Sequence, residues 1–415
     1  MTKRVPNDGE KVTCWGQTIT WTSEHPTDED LKPLLYKYDK IGGDAYDRAL
    51  QIFNDEQDMK KKEGQMPKGA PAKPDIFQIV KDHAATDPVL GKLWEQVNYV
   101  PDWVDWDQLA RGQQIFWRYA MANLIGLGYQ SLFVGMAAAR TIEVLVRTGG
   151  FAPAAAQRRG IETAQWNLEI MRGIESLKPG GDGWVSTVRV RLLHSAVRSK
   201  IMQMYREKPE YYNEQEYGIP INDFDSAGTI CTFSAAPIWF SLPQQKIQLR
   251  PQEIKDYVAL WRYIAYLIGA PEEYFDSPDK CRKLQESGLY YEIDPNQNSK
   301  VLANNLLDAF SKGPPKLPSG LVRAGARALA GDELCDELEV GKSNFIWRGI
   351  WYSNMVMYKG FAYMCRSVPW LDKRNISMMK KLSWKIVVES KYGLKGEKTK
   401  FPLKYKPSYK VTKAE

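Results

Sequence analysis

The sequence predicts a mainly α protein: a single large helical domain with a small N-terminal hairpin and terminal extensions. Apolar residues recur at helical spacing, as in Val190, Leu193, Val197, Ile201 and Met204. Proline and glycine stand in helix-first, helix-last order: Pro251 and Gly269 bracket one helix, and Ser277-Pro278 and Gly288 another. No internal repeat or low-complexity block divides the 415 residues.

Taken in order, Lys11 to Trp21 alternates and carries a glycine, which predicts a hairpin. Asp55 to Lys73 is charged and rich in Lys, Gly and Pro, and reads as an exposed connector. Asp107 can cap a long run through Leu109, Phe116, Trp117, Ala120 and Leu124 that stays helix-compatible to Arg147, until Gly149-Gly150 stops it. Pro153 opens the next helix, which runs to about Met171. Lys178 to Gly183 separates that helix from the one carrying His194. The expected division is an N-terminal extension over 1–75, a helical domain over 76–372 and a basic C-terminal segment over 373–415.

Hydrophobic content of 43% with 26% charged residues is ordinary for a globular chain, while fourteen tryptophans and twenty-two tyrosines point to broad aromatic packing or an apolar cavity. The most apolar stretch, Leu124 to Ala139, is interrupted by Gly126, Gly128, Gln130, Ser131 and Gly135, so it reads as a buried helix and not a membrane span. The N-terminus lacks the apolar core of a secretory signal. Cys14, Cys231, Cys281, Cys335 and Cys365 are scattered and odd in number, which suits reduced thiols in a cytosolic compartment and not a zinc site. Cys231 has no cation beside it in sequence and reads as a core thiol. The net charge of +7 is concentrated from Lys373 to Glu415, where thirteen Lys/Arg face three Asp/Glu. Such a segment is either a solvated face or a contact for anionic lipid, and nothing around it resembles a nucleic-acid module.

Of the three histidines, His25 and His83 have no second ligand at i+3 or i+4, which argues against metal binding. His194 is different. Arg191, His194 and Arg198 are spaced to project from one helical face. Two cations would keep a buried imidazole neutral, and burying them requires something anionic nearby. Haem meets both needs, with iron for the imidazole and propionates for the guanidiniums. The alternative is a partly exposed histidine on a basic helix.

The ordered segments Gly112-Gln-Gln-Ile-Phe-Trp-Arg-Tyr119, Tyr129-Gln-Ser-Leu-Phe-Val-Gly-Met136, Glu143-Val-Leu-Val-Arg-Thr-Gly-Gly-Phe151, Arg159-Gly-Ile-Glu-Thr163, Arg191-Leu-Leu-His-Ser-Ala-Val-Arg198 and Trp261-Arg-Tyr-Ile-Ala-Tyr-Leu-Ile-Gly269 resemble a known family. It is the catalytic domain shared by rubber oxygenase (latex clearing protein) and the fungal, MpaB-like oxygenase of mycophenolic acid biosynthesis, and the likeness spans roughly residues 100 to 270. The resemblance implies a helical domain enclosing one haem b, and cleavage of a carbon-carbon double bond in a prenyl chain with dioxygen. It makes His194 the axial ligand of the haem iron, flanked by Arg191 and Arg198, Glu143 a base, and Arg159 and Thr163 polar neighbours of the haem. Glu162 departs from the rubber enzyme, which has lysine there.

A carboxylate at 162 cannot act as a neutral amine ligand, but it can move a proton. Peroxygenase or peroxidase chemistry is therefore the enzymatic alternative, and a non-catalytic haem-binding or lipid-binding helical protein the non-enzymatic one. Both carboxylates have plainer readings as ion-pair partners: Glu162 with Arg158 or Arg159, and Glu143 with Arg140 or Arg147. The expected partners are an unsaturated apolar small molecule, with aromatic helices from Phe116 to Phe133 forming its slot, and dioxygen or peroxide. The fungal relative is bound to the endoplasmic reticulum. With no span, this chain is expected to be cytosolic or to touch a membrane surface through its basic C-terminus.

Overall fold

The computed structural model describes residues 3–63, 73–149, 151–313 and 316–403. Strands β1 (Lys11–Cys14) and β2 (Gln17–Thr20) form the expected antiparallel hairpin, with Lys11 opposite Thr20 and Cys14 opposite Gln17. Trp15 and Gly16 both take positive φ, 50° and 73°, as a two-residue turn that follows the strand twist requires.

Everything else among the described residues is helix and connection. The helices of ten residues or more are α1 (Lys40–Lys62), α2 (Pro88–Asn98), α3 (Trp106–Arg118), α4 (Ala139–Thr148), α5 (Pro153–Ile170), α6 (Asp182–Glu207), α7 (Asp223–Phe233), α8 (Pro251–Ile268), α9 (Pro278–Glu292), α10 (Gln297–Lys312), α11 (Ser319–Ala330), α12 (Phe345–Ser367) and α13 (Pro369–Trp384). Their ends follow local chemistry. Pro153 and Pro251 open α5 and α8, where a missing N–H costs nothing. Gly149 and Gly269 close α4 and α8 at φ 65° and 77°. Asn222 caps α7 by accepting from the Asp225 N–H at 2.8 Å.

The structure differs from four local expectations. The cap of α3 is Asp105, whose Oδ1 accepts from the N–H groups of Asp107 and Gln108, so Asp107 lies inside the first turn. The run expected to stay helical to Arg147 is divided. A short helix over Ala120–Gly126 passes into a π-helical stretch, Leu127–Phe133, and α4 starts only at Ala139. A second π-helical stretch, Ala236–Ser241, packs against the first and against the short helix, where a Cβ on Gly126 would lie 2.2 Å from Ser241 Oγ. The expected connector is helical through Lys62, because no breaker precedes Gly64; residues 64–72 lie outside the described residues. Helix α9 runs through Gly288 to Glu292, since one interior glycine costs only about 1 kcal/mol.

Two large apolar clusters hold the helices together. One contains Phe116, Trp117, Trp184 and Trp261, and includes Leu31, Ala45 and Tyr46 from the first seventy-five residues. The other gathers Phe133, Phe240, Leu302, Leu306 and Trp351. Phe116 and Phe133 are completely buried in these clusters, so they are packing residues and not the walls of an open slot. No helix among the described residues is long and apolar enough to cross a membrane.

Helices α3 and α8 make the tightest long contact. A Cβ on Gly112 would lie 2.6 Å from the Asp256 carbonyl oxygen and 2.9 Å from Leu260 Cβ. Gly112→Ala should therefore destabilise the protein by about 1–3 kcal/mol in urea unfolding, since overpacking outweighs the gain in helix propensity. A stabilised variant would show that the two helices separate at little cost.

Candidate active-site cleft

The site is built on the hairpin of α5 and α6. Its register is set near the connection. Trp166 Nε1 donates to Thr187 Oγ1 at 3.1 Å, and a Cβ on Gly183 would lie 2.8 Å from the Ile170 Cα. Seven residues make almost two full turns, so Arg159 points within about 20° of Trp166, and His194 within about 20° of Thr187. Glu162 and Thr163 are within about 60° of the Trp166 direction. The helical face of His194 and that of Arg159, Glu162 and Thr163 therefore look into the same space between α5 and α6.

That space has an aromatic floor. Trp166 meets Phe233 edge-on at 5.3 Å, and Phe233 stacks on Trp261 at 5.2 Å. Thr229 stands one turn before Phe233 on α7. Above the floor the space is open: Thr163 and Thr229 are exposed and His194 is half-buried. On the flank, Val144 of α4 shares a cluster with Val197 and Ile201 of α6, which brings Glu143 near the level of His194.

His194 is half-buried among the surrounding helices. Desolvation first, then the Arg198 charge, push its pKa down to about 4, against a smaller upward pull from Asp39. The ring is neutral at pH 7 and makes no hydrogen bond or ion pair with the described residues. The unfolded histidine takes up a proton as pH falls below about 6.5, whereas the folded one resists until about 4. The contribution of His194 to stability is thus fully present above pH 6.5 and is lost as pH falls through that window, by about 2 kcal/mol at pH 5. His194→Gln apoprotein should lose correspondingly less stability than the parent between pH 7 and pH 5 in denaturant titrations; equal losses would contradict the neutral buried imidazole.

The two flanking arginines behave differently. Arg191, 1% exposed, meets an anion supplied by the protein itself: Nε and Nη2 donate to the two Asp39 oxygens at 2.7 Å each, and Nη2 also donates to Gln96 Oε1 at 2.8 Å. Gly269 passes against this pair, leaving only 2.7 Å from a built Cβ to Arg191 Nε and to Asp39 Oδ2. Arg198 has no carboxylate among the described residues. It stacks on Tyr38 and donates to the carbonyls of Pro220 (3.1 Å) and Ile221 (2.9 Å). Burial lowers its pKa, partly opposed by Asp39, Tyr38 and Asp223. Asp223, half-buried nearby, is raised to about 6 by desolvation, partly opposed by Arg198.

Both carboxylates carry guanidinium partners. Glu143 is buried and accepts from Arg147 Nη1 on one oxygen and from Asn298 Nδ2, at 2.9 Å, on the other. Arg147 itself reaches the Tyr211 carbonyl and packs over Tyr211 and Tyr212. Arg140, the other sequence candidate for Glu143, pairs with Asp225 and Glu292. Glu162 is buried and accepts from Arg158 Nε at 3.0 Å. Cys231 is a fully buried thiol with its pKa far above the usual range. His25 is bound between Thr22 and Glu286, outside the cleft.

No group of three or more His, Cys, Asp or Glu among the described residues is placed to hold a bare ion. A single neutral imidazole facing open space suits a metal that brings its other ligands in a macrocycle. Asp39, Gln96 and Asn298 escaped the sequence reading as site residues. Asp39 was the most accessible of them, since it precedes Gly42-Gly43 as a helix cap, but nothing in the sequence pairs it with Arg191 152 positions later.

Comparison with known proteins gives the family and the fold. The catalytic-domain model of the family described as "ER-bound oxygenase mpaB/B'/Rubber oxygenase" matches residues 116–357. A solved structure of latex clearing protein in the closed state superposes with a TM-score of 0.60 at 18% identity, over 84% of this chain and 91% of that one, and shows the shared fold. No curated protein sequence matches significantly. Since the family model covers more than half of its length, the chain belongs to the mpaB/B' and rubber oxygenase family of oxygenases.

Proposed function

We propose that the protein is a haem b-dependent oxygenase that cleaves a carbon-carbon double bond of a prenyl, terpenoid or other unsaturated apolar small molecule with dioxygen. Both oxygen atoms end in the products: the alkene C=C bond and the O–O bond break, and two carbonyl C=O bonds form. The observation that carries this reading is the neutral, unpartnered imidazole of His194 facing an open cleft with an aromatic floor. When bound, haem would supply the iron centre at which dioxygen is activated.

The chain's own residues have separate tasks in this reading. His194 offers a nitrogen to the iron, and its depressed pKa keeps that lone pair free across the physiological range. Arg198, whose partners are carbonyls, has donors left for a propionate, whereas Arg191 holds α6 to the α1 cap through Asp39. Glu143, held by Arg147 and Asn298, takes an allylic proton and gives it back before the carbonyl products leave, and Thr163 and Arg159 offer polar contacts from the facing helix. Trp166, Phe233 and Trp261 exclude water beneath the substrate. Residues 76–372 would form the oxygenase domain.

The test is oxygen uptake by the reduced, haem-loaded protein with prenylated compounds, with carbonyl products measured. Glu143→Gln should lower turnover at least about tenfold with the Soret band unchanged, in the range of a lost general base. Unchanged turnover would remove Glu143 from the reaction. Because Glu162 also lies on the cleft side of α5, activity with peroxide but not dioxygen would favour the peroxygenase reading, and a coloured protein inactive with both would be a haem carrier.

A further inference from the structure

Helix α12 is amphipathic in the wrong sense for a water-facing helix. Trp351, Met355, Ala362 and Cys365 are buried on one side. The opposite side carries Ile346, Ile350, Val356, Met357, Phe361 and Met364, all exposed, with Val356 at 70% and Met357 at 58%. At 100° per residue these six fall within an arc of about 140° that holds no charged residue. Phe345 at the start of the helix is 83% exposed. A mostly apolar face of this length on a water-facing helix, broken within the arc only by the exposed Ser353, the terminal Ser367 and two glycines, marks a contact surface.

The charges beside it say what kind. Phe345 to Ser367 contains the exposed Arg348 and Lys359 and no acidic residue, its third cation, Arg366, being turned inward to the Gln248 carbonyl and Glu253. Across the Val368–Pro369 corner, α13 continues the surface with Trp370 (65% exposed), Met378 and Leu382, interleaved with Lys373, Arg374 and Lys381, all exposed. Its one acid, Asp372, is turned inward and paired with Arg118. Apolar side chains set among cations, with Trp370 at the corner, match the interfacial region of an anionic bilayer. They do not match a second copy of the same face, because an isologous contact would bring cations against cations.

We propose that the outer faces of α12 and α13 form a membrane-docking surface that lies in the plane of an anionic lipid interface. The surface is separate from the His194 cleft, and the inference does not depend on what the cleft holds. An apolar substrate would be drawn from the lipid phase in which it is concentrated.

Flotation of the full chain with vesicles tests this, using phosphatidylcholine alone and phosphatidylcholine with roughly one third phosphatidylserine. The parent should float with the anionic vesicles, less with the neutral ones, and less again as salt is raised. The triple variant Ile350→Asn/Val356→Asn/Met357→Asn should float at least about tenfold less while melting like the parent, since all three side chains are exposed. Arg374→Glu/Lys381→Glu should abolish the preference for anionic vesicles. Failure of the parent to float, or parent-like flotation of the triple variant, would overturn the proposal. A dimer seen by light scattering without lipid, and lost in the triple variant, would assign the face to a second copy and also overturn it.

Discussion

Asp39→Ala should lower the stability of the folded protein by about 3–5 kcal/mol, the usual cost of leaving one member of a buried ion pair without its partner. The Arg191 guanidinium is 1% exposed and has both Asp39 oxygens on its fork at 2.7 Å, with Gln96 as its remaining polar side-chain contact. Without the carboxylate the charge stays where water cannot reach it. The same substitution removes the cap of α1, where Asp39 Oδ1 accepts from the Gly42 N–H at 3.0 Å, worth about 1 kcal/mol more. Replacing both partners, as Asp39→Leu with Arg191→Met, should restore much of the loss because no buried charge remains. Denaturant midpoints of the three variants against the parent decide it. A loss below about 1 kcal/mol for Asp39→Ala would mean that the guanidinium reaches water or another carboxylate, and the anchoring role given to Arg191 would fall.

Thr163→Trp should leave the apoprotein as stable as the parent and reduce haem uptake at least about 100-fold. Thr163 is exposed although its helical face is the one that packs Trp166 inward, so its side chain borders open space and not core. An exposed position away from caps and ion pairs tolerates exchange within about 0.5 kcal/mol. The indole would project into the space between α5 and α6 about one turn from the level of His194. Haemin titration followed by absorbance, with thermal melting of the apoprotein as control, separates the two effects. Normal uptake by a normally folded variant would place the cofactor elsewhere; a strongly destabilised variant would show that the space is packed.

What the sequence revealed and what it hid divide along local and distant interactions. The helix carrying His194 and its proline and glycine neighbours were legible because each depends on residues within a few positions. The place of Asp105 as cap was missed because two aspartates two residues apart offer the same chemistry, and only backbone geometry chooses between them. The two π-helical stretches were invisible because the element each packs against lies far away in the chain. At the site, spacing put Arg191, His194 and Arg198 on one face, but Asp39 came from the segment read as an extension. Its capture of Arg191 leaves Arg198 as the flanking cation without a carboxylate among the described residues. The apolar outer face of α12 was likewise hidden, since periodicity shows that a helix has an apolar stripe and not whether that stripe meets the core or water.

The central claim is that His194 binds haem iron, and the visible spectrum of the purified or haemin-reconstituted protein beside His194→Ala tests it most directly, with a pyridine haemochrome assay on both. A Soret band with haem b in the parent, lost or strongly altered in the variant, is the predicted result. A parent that takes up no haem after reconstitution, or a variant with an unchanged Soret band, would contradict it.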